Sequence, residues 1–257
     1  MSEEKVYAIT GGASGIGAAL SEKLQARGDK VISIDILRAD INVDLSGREG
    51  CEAMSQKLAE LSPEGLDGFV ACAGVGPHIK PFSLIDQINY FGAIASVEHT
   101  LPLLERKHGS IVLVSSNSAP LPGLNESHID LLLSGDEQKA CELIATLDGH
   151  NAYAGSKRAL VRWMRKQSAH YMKKGVRMNA VAPGMTKTAL TDQVFEDELY
   201  GKAMREFAKS IPYGEVATPD MIADAMIFLL DPVSRFVCGS VLVVDGGQDA
   251  LLREDPF

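Results

Sequence analysis

The sequence predicts an α/β fold: one parallel sheet with helices packed on both faces, in a single domain. Three observations carry this. Short runs rich in β-formers near residues 5–10, 30–35, 67–72, 110–115, 176–182 and 240–244 alternate with helical stretches, the rhythm of successive βαβ units. Those strands are nearly continuous apolar runs, as buried parallel strands are, instead of alternating ones. At 257 residues, 46% of them apolar, the chain has enough hydrophobic material for a sheet covered twice, and no linker, charge block or internal repeat divides it. The expectation is therefore a doubly wound, Rossmann-type sheet.

The first unit is the most explicit. Lys5-Val-Tyr-Ala-Ile-Thr10 is a strand, Gly11-Gly-Ala-Ser14-Gly15-Ile16-Gly17 a glycine-rich turn, and Ile16, Leu20 and Leu24 recur at helical spacing up to a stop at Gly28. Strand, glycine turn and helix form the context of a dinucleotide fingerprint. Gly11 permits the tight turn, Gly15 lets the backbone approach a pyrophosphate, and Gly17 lets the helix lie close to the sheet. The phosphates then meet the free N–H groups at the positive end of the helix.

The second strand ends in Asp35, 18 residues after Gly17. A carboxylate there binds adenosine ribose hydroxyls and repels a 2′-phosphate, which predicts NAD over NADP. Arg38 argues mildly the other way, because a cation so near neutralises a phosphate if its loop folds back. Ala71–Gly74, Ser116 and Pro183-Gly184 also fall at strand C-termini, where ligands bind on such sheets.

Tyr153 precedes Lys157 by four positions in a helical stretch, so the two side chains share a face. A phenol normally keeps its proton to about pH 10. A cation about 4 Å away favours the phenolate by roughly 4 kcal/mol at an effective dielectric near 20, or about three pKa units. The pair is expected to make a proton donor and acceptor that works near neutrality.

Thr10-Gly-Gly-Ala-Ser-Gly-Ile-Gly17 together with Tyr153-Ala-Gly-Ser-Lys157 resembles the short-chain dehydrogenase/reductase family, over nearly the whole chain. The resemblance implies reversible hydride transfer between a secondary alcohol and a ketone, with NAD as cofactor. It implies that Asp44 and Leu45 flank the adenine, that Ala73 and Gly74 line the nucleotide site where Asn-Asn-Ala-Gly is usual, and that Pro183, Gly184, Thr186 and Thr188 meet the nicotinamide. It assigns Asn89, Ser116, Tyr153 and Lys157 to catalysis. Tyr153 exchanges the proton; Lys157 lowers the Tyr153 pKa and holds the nicotinamide ribose. Ser116, chosen over Ser115 by register, bonds the substrate oxygen, and Asn89 holds a water that links Lys157 to solvent.

Two segments depart from the family's common pattern. Ser116 and Tyr153 are 37 residues apart, well past an ordinary connection. Residues 119–150 are expected to form a helical hairpin, with Ala140, Leu143, Ile144 and Leu147 on one helical face and Ser134 or Asp136 at its start. The stretch from Gly74 to Asn89 is short, which widens the pocket entrance. These features, with the tail Asp245-Gly-Gly-Gln-Asp-Ala, are similar to the bacterial 3α-hydroxysteroid dehydrogenase/carbonyl reductase subgroup; coniferyl-type aryl alcohol dehydrogenases are a similar group. Because many relatives form tetramers through the helix that follows the insertion, the resemblance implies a homo-oligomer, a dimer in preference to a tetramer.

Residues 185–212 mix apolar and acidic positions and read as an amphipathic lid over an apolar substrate, with Met185, Leu190 and Phe195 as pocket residues. A catalytically idle NAD-binding regulator on the same fold is the rival from another class, and a β-keto thioester or sugar ketone is the rival substrate. The net charge of −9, with no basic stripe, opposes nucleic-acid binding. No apolar stretch reaches the roughly 20 residues that span a bilayer. Four scattered cysteines and an acidic start without a signal pattern point to reduced thiols in the cytoplasm. The six histidines show no ligand spacing, so no metal is expected.

Overall fold

The computed structural model describes residues 4–255; the first three residues of the acidic start lie outside them. Seven parallel strands form one sheet in the order β3-β2-β1-β4-β5-β6-β7. They are β1 (Val6–Thr10), β2 (Lys30–Asp35), β3 (Ile41–Asn42), β4 (Gly68–Ala71), β5 (Ser110–Val114), β6 (Arg177–Pro183) and β7 (Val241–Val244). Six match the expected runs. The seventh, β3, is a two-residue edge strand paired through Ile34–Ile41 and Asp35–Asn42, too short to carry a period that a sequence can display.

Successive residues of each strand point to opposite faces, and both faces are dry. Ala8, Phe69, Ile111 and Leu113 enter one hydrophobic cluster. Tyr7, Ile9, Val112 and Val114 enter the other. The first face is covered by α2 (Arg48–Leu61), α4 (Ala93–Lys107) and α7 (Gly149–Lys173), the second by α1 (Gly15–Ala26) and α10 (Pro219–Leu230). Leu20 and Leu24 of α1 are fully buried against α10. Each contributes about 2 kcal/mol by leaving water, and Leu24→Ala costs about 2–5 kcal/mol.

A short α3 (Phe82–Asp86) runs into a π-helical turn, Gln87–Gly92, before α4. Between Ser116 and Tyr153 lie α5 (Glu126–Ser134) and α6 (Glu137–Ile144), with Asp136 capping α6 through the Lys139 N–H at 3.2 Å. Ser134 instead ends α5. Ala140 and Ile144 are buried, whereas Leu143 and Leu147 are half-buried. The stretch after β6 holds α8 (Ala189–Glu196) and α9 (Gly201–Lys209), and α11 (Gln248–Leu252) closes the described chain.

The chain runs outward from β1 through β2 to β3, then returns to place β4 on the other side of β1. The crossovers diverge there and leave a crevice beyond the C-terminal ends of β1 and β4.

Candidate active site

That crevice continues into a cleft of about 600 Å³ running from the glycine turn to α9. Thr10 ties the two strand ends together. Its hydroxyl accepts from the N–H groups of Cys72 and Ala73, both at 3.1 Å. Gly11 has φ +67°, and a Cβ on it would meet the Ala73 backbone at 2.9 Å. Gly17 does not line the cleft; a Cβ there would lie 2.1 Å from the Gly11 carbonyl oxygen. It is the residue that lets α1 close on the turn, as expected.

No side chain caps α1 at Ser14, and no backbone carbonyl of the described residues accepts from the N–H of Gly15 or Ile16. Donors at a helix start without partners suit a pyrophosphate. Asp35 ends β2 at the rim, its carboxylate accepting from Ala13 N at 3.1 Å and Ile36 N at 2.7 Å. Asp44, Leu45, Ala73, Gly74, Pro183, Gly184, Thr186 and Thr188 line the same cleft. Thr188 caps α8 while its methyl lies over Gly15. A glycine seat, free helix-terminal donors and a strand-end acid fit a dinucleotide. Arg38 is exposed and does not line the cleft.

Ser116, Tyr153 and Lys157 converge where the nucleotide half meets the lid. The Ser115 hydroxyl is engaged at 3.2 Å with the Lys157 carbonyl of α7. Ser116 Oγ accepts from Ser118 Oγ at 2.9 Å and Ser118 N at 3.1 Å, so its own proton is left to donate into the cleft. Lys157 is 4% exposed and donates to the Val114 carbonyl at 2.8 Å.

The electrostatics correct one expectation. Burial pushes the Lys157 ammonium down to about 8. Burial also raises the Tyr153 phenol above its ordinary value, and the Ser116 hydroxyl is what opposes that rise. The predicted lowering of Tyr153 by Lys157 is absent, because desolvation acts against both charged forms and the ammonium is committed to Val114.

Two more expectations change. Asn89 lies outside the cleft lining. Its side chain accepts from Val75 N at 2.8 Å and donates to Val75 O at 3.0 Å, so the amide holds the turn after Gly74. Gly74 sits against both groups: a Cβ on it would lie 3.0 Å from Asn89 Oδ1 and 3.4 Å from Lys157 Nζ. On the lid, Met185 and Leu190 line the cleft but Phe195 does not. Its carbonyl packs against Gly201, at the junction between α8 and α9.

Tyr200, Met204 and Phe207 form that wall instead, and Leu121 and His150 reach the cleft from the two roots of the insertion. Met204 and Phe207 were legible as apolar lid positions; Leu121, His150 and Tyr200 carried no periodic signal. Four free cysteines are present. No helix is long and apolar enough to cross a membrane, and no cluster able to hold a metal occurs among the described residues.

A family model described as short chain dehydrogenase matches residues 5–128, and one described as enoyl-(acyl carrier protein) reductase matches residues 141–249. The 3-alpha-hydroxysteroid dehydrogenase/carbonyl reductase of Comamonas testosteroni is 37% identical over 98% of this chain and 99% of that protein. An acetoacetyl-CoA reductase of Synechocystis sp. is 31% identical over 96% of this chain and 97% of that protein. The crystal structure of the 3-alpha-hydroxysteroid dehydrogenase from Pseudomonas sp. B-0831, complexed with NADH, superposes with a TM-score of 0.95 at 42% identity, covering 98% of this chain and 100% of that one.

Proposed function

This chain belongs to the short-chain dehydrogenase/reductase family, and on that premise we propose that it is an NAD(H)-dependent hydroxysteroid dehydrogenase/carbonyl reductase. It interconverts a secondary alcohol and a ketone on an apolar, ring-sized substrate. The observation that carries this is the meeting of Ser116, Tyr153 and Lys157 between a dinucleotide seat and an apolar lid wall within one cleft.

When bound, NAD supplies the hydride acceptor and NADH the donor. Gly11, Ser14, Gly15 and Ile16 hold its pyrophosphate, Asp35 its adenosine ribose, and Asp44 and Leu45 its adenine. Ala73, Gly74, Pro183, Gly184, Thr186 and Thr188 hold the nicotinamide half. Tyr153, raised by burial and so protonated at neutral pH, donates its proton to the ketone oxygen in reduction; in oxidation the phenol first releases that proton to solvent, and the phenolate so formed takes the hydroxyl proton as hydride leaves for NAD. Ser116 donates to the same oxygen and stabilises the charge that develops there. Lys157, held by Val114, supplies positive charge beside the nicotinamide ribose. Asn89 fixes the Gly74–Val75 backbone against which Lys157 lies.

The assembly is a homodimer. Glu126 of α5 pairs with Arg158 at 2.9 Å and Arg162 at 2.8 Å, so the insertion covers part of the outer face of α7. Free cysteines support a cytoplasmic setting. The β-keto thioester reading draws on the acetoacetyl-CoA reductase relative, but among the described residues no lysine or arginine other than Lys157 lines the cleft to grip a phosphate. Turnover assayed with NAD and NADP against a 3α-hydroxysteroid, an aryl alcohol and acetoacetyl thioester tests the reading. Steroid turnover with NAD supports it, and preference for the thioester overturns it.

A further inference from the structure

The tail motif Asp245-Gly-Gly-Gln248 has no part in the chemistry above, yet Gln248 is completely buried. Its amide is fully engaged and faces two ways. Nε2 donates to the Phe207 carbonyl at 3.0 Å and to Ser210 Oγ at 3.1 Å, both at the C-terminal end of α9. Oε1 accepts from Asn117 Nδ2 at 3.1 Å. Asn117 follows Ser116, and its N–H donates to the Pro183 carbonyl at 3.0 Å. The Asn117 side chain also reaches Asp245 Oδ2 at 3.4 Å, and Asp245 packs so closely on Gly184 that a Cβ there would lie 2.5 Å from its own.

One buried side chain therefore joins α9 to the floor of the site. On one side is α9, which presents Met204 and Phe207 to the substrate half of the cleft. On the other are the Ser116 segment and the Pro183-Gly184 turn. At the far end of the lid the tie is weaker and exposed: His78 Nε2 meets Gln193 Oε1 at 3.3 Å. A buried, fully satisfied amide resists displacement, because losing one partner leaves a buried polar group unpaired.

We propose that Gln248 is a positioning residue that sets the distance between the α9 wall and the Ser116 and Tyr153 hydroxyls, and so selects ring-sized alcohols over small ones. This rests on the oxidoreductase reading of the cleft. A ring-sized substrate touches Met204 and Phe207 while its hydroxyl lies at Ser116; a small secondary alcohol reaches only the hydroxyls.

The test compares Gln248→Ala and the near-isosteric Gln248→Glu, which loses the donor toward Phe207 but keeps an acceptor for Asn117. Steady-state kinetics are measured with a 3α-hydroxysteroid and with 2-propanol, alongside NADH binding by fluorescence. The expected result is a KM for the steroid raised about tenfold or more in both variants, a loss of about 1.4 kcal/mol. The 2-propanol kinetics and NADH affinity stay at wild-type values. Equal losses on both alcohols, loss of NADH binding in both variants, or an unchanged steroid KM would overturn the assignment. A wild-type protein that turns over neither alcohol would instead remove the functional reading on which it rests.

Discussion

The Lys157 ammonium donates to the carbonyl oxygen of Val114, the last residue of β5, at 2.8 Å. The bond pins the lysine to the strand that carries Ser116, two residues further on. A helix residue and a strand end are thereby locked in register, and the buried charge is held by a dipole in place of a carboxylate. Desolvation sets its chemistry: the ammonium titrates at about 8 instead of 10.5.

This has a measurable consequence for stability. Between about 8 and 10.5 the unfolded chain binds a proton at this position that the folded chain does not, so Lys157 makes stability rise with pH across that window. Below it the folded protein carries the whole cost, about 3 kcal/mol at 1.36 kcal/mol per pKa unit. Lys157→Met is expected to fold, to be more stable than wild type at pH 7 by up to that amount, and to lose the advantage by pH 10.5. Urea unfolding of both proteins at the two pH values checks this. A stability difference that does not change with pH contradicts the buried charge.

Activity is expected to follow the same proton. The free-enzyme profile of kcat/KM for ketone reduction reports essential groups. Tyr153, raised by burial, stays protonated through neutrality. The decline with rising pH should therefore have its midpoint near 8, from Lys157. A profile flat to pH 10 would separate the lysine charge from catalysis.

Asp35 is expected to set cofactor choice. A 2′-phosphate placed about 4 Å from its carboxylate meets roughly 4 kcal/mol of repulsion at an effective dielectric near 20. Wild type should prefer NADH to NADPH, and Asp35→Asn, which removes the charge and keeps one oxygen to accept one of the two N–H groups of Ala13 and Ile36, should shrink that preference by at least about tenfold. Binding titrations with both nucleotides decide it; an unchanged ratio places discrimination elsewhere.

Gly17→Ala puts a methyl 2.1 Å from the Gly11 carbonyl oxygen. Either α1 moves off the turn or the turn deforms, at about 1–3 kcal/mol for overpacking. Thermal unfolding should fall by several degrees, and NADH affinity should fall with it. A variant that binds NADH normally would show that α1 need not approach the turn so closely.

Much of this site can be read from the chain because its parts are local. The strand, glycine turn and helix from Lys5 to Gly28 announce themselves through spacing alone, as do Tyr153 and Lys157 on one helical face. What depends on remote neighbours stays hidden. Asn89 has the residue type of a water ligand, but only the fold brings Val75 to its amide. Phe195 and Phe207 are both apolar lid residues, and the α8–α9 turn decides which one faces the cleft. The buried Asp86–His128 pair, 2.7 Å apart, links α3 to the insertion across 42 residues and has no local signature at all. The Tyr153 shift was misjudged for the same reason: a pairwise Coulomb argument sees the cation four residues away and not the burial that opposes it.

The proposed dimer is tested by light scattering of the purified protein. A mass of two chains is expected, since α5 covers part of the α7 face; a four-chain assembly contradicts that consequence of the insertion.

In the proposed reaction the Tyr153 hydroxyl moves the proton while the rest of the cleft places the reactants. Tyr153→Phe removes that oxygen and keeps the ring. With a 3α-hydroxysteroid and NAD, kcat should fall by about 10²–10⁴, the worth of a positioned general acid–base, while the dissociation constant of NADH stays at the wild-type value. Turnover within tenfold of wild type in a variant that still binds NADH would contradict the account at its root.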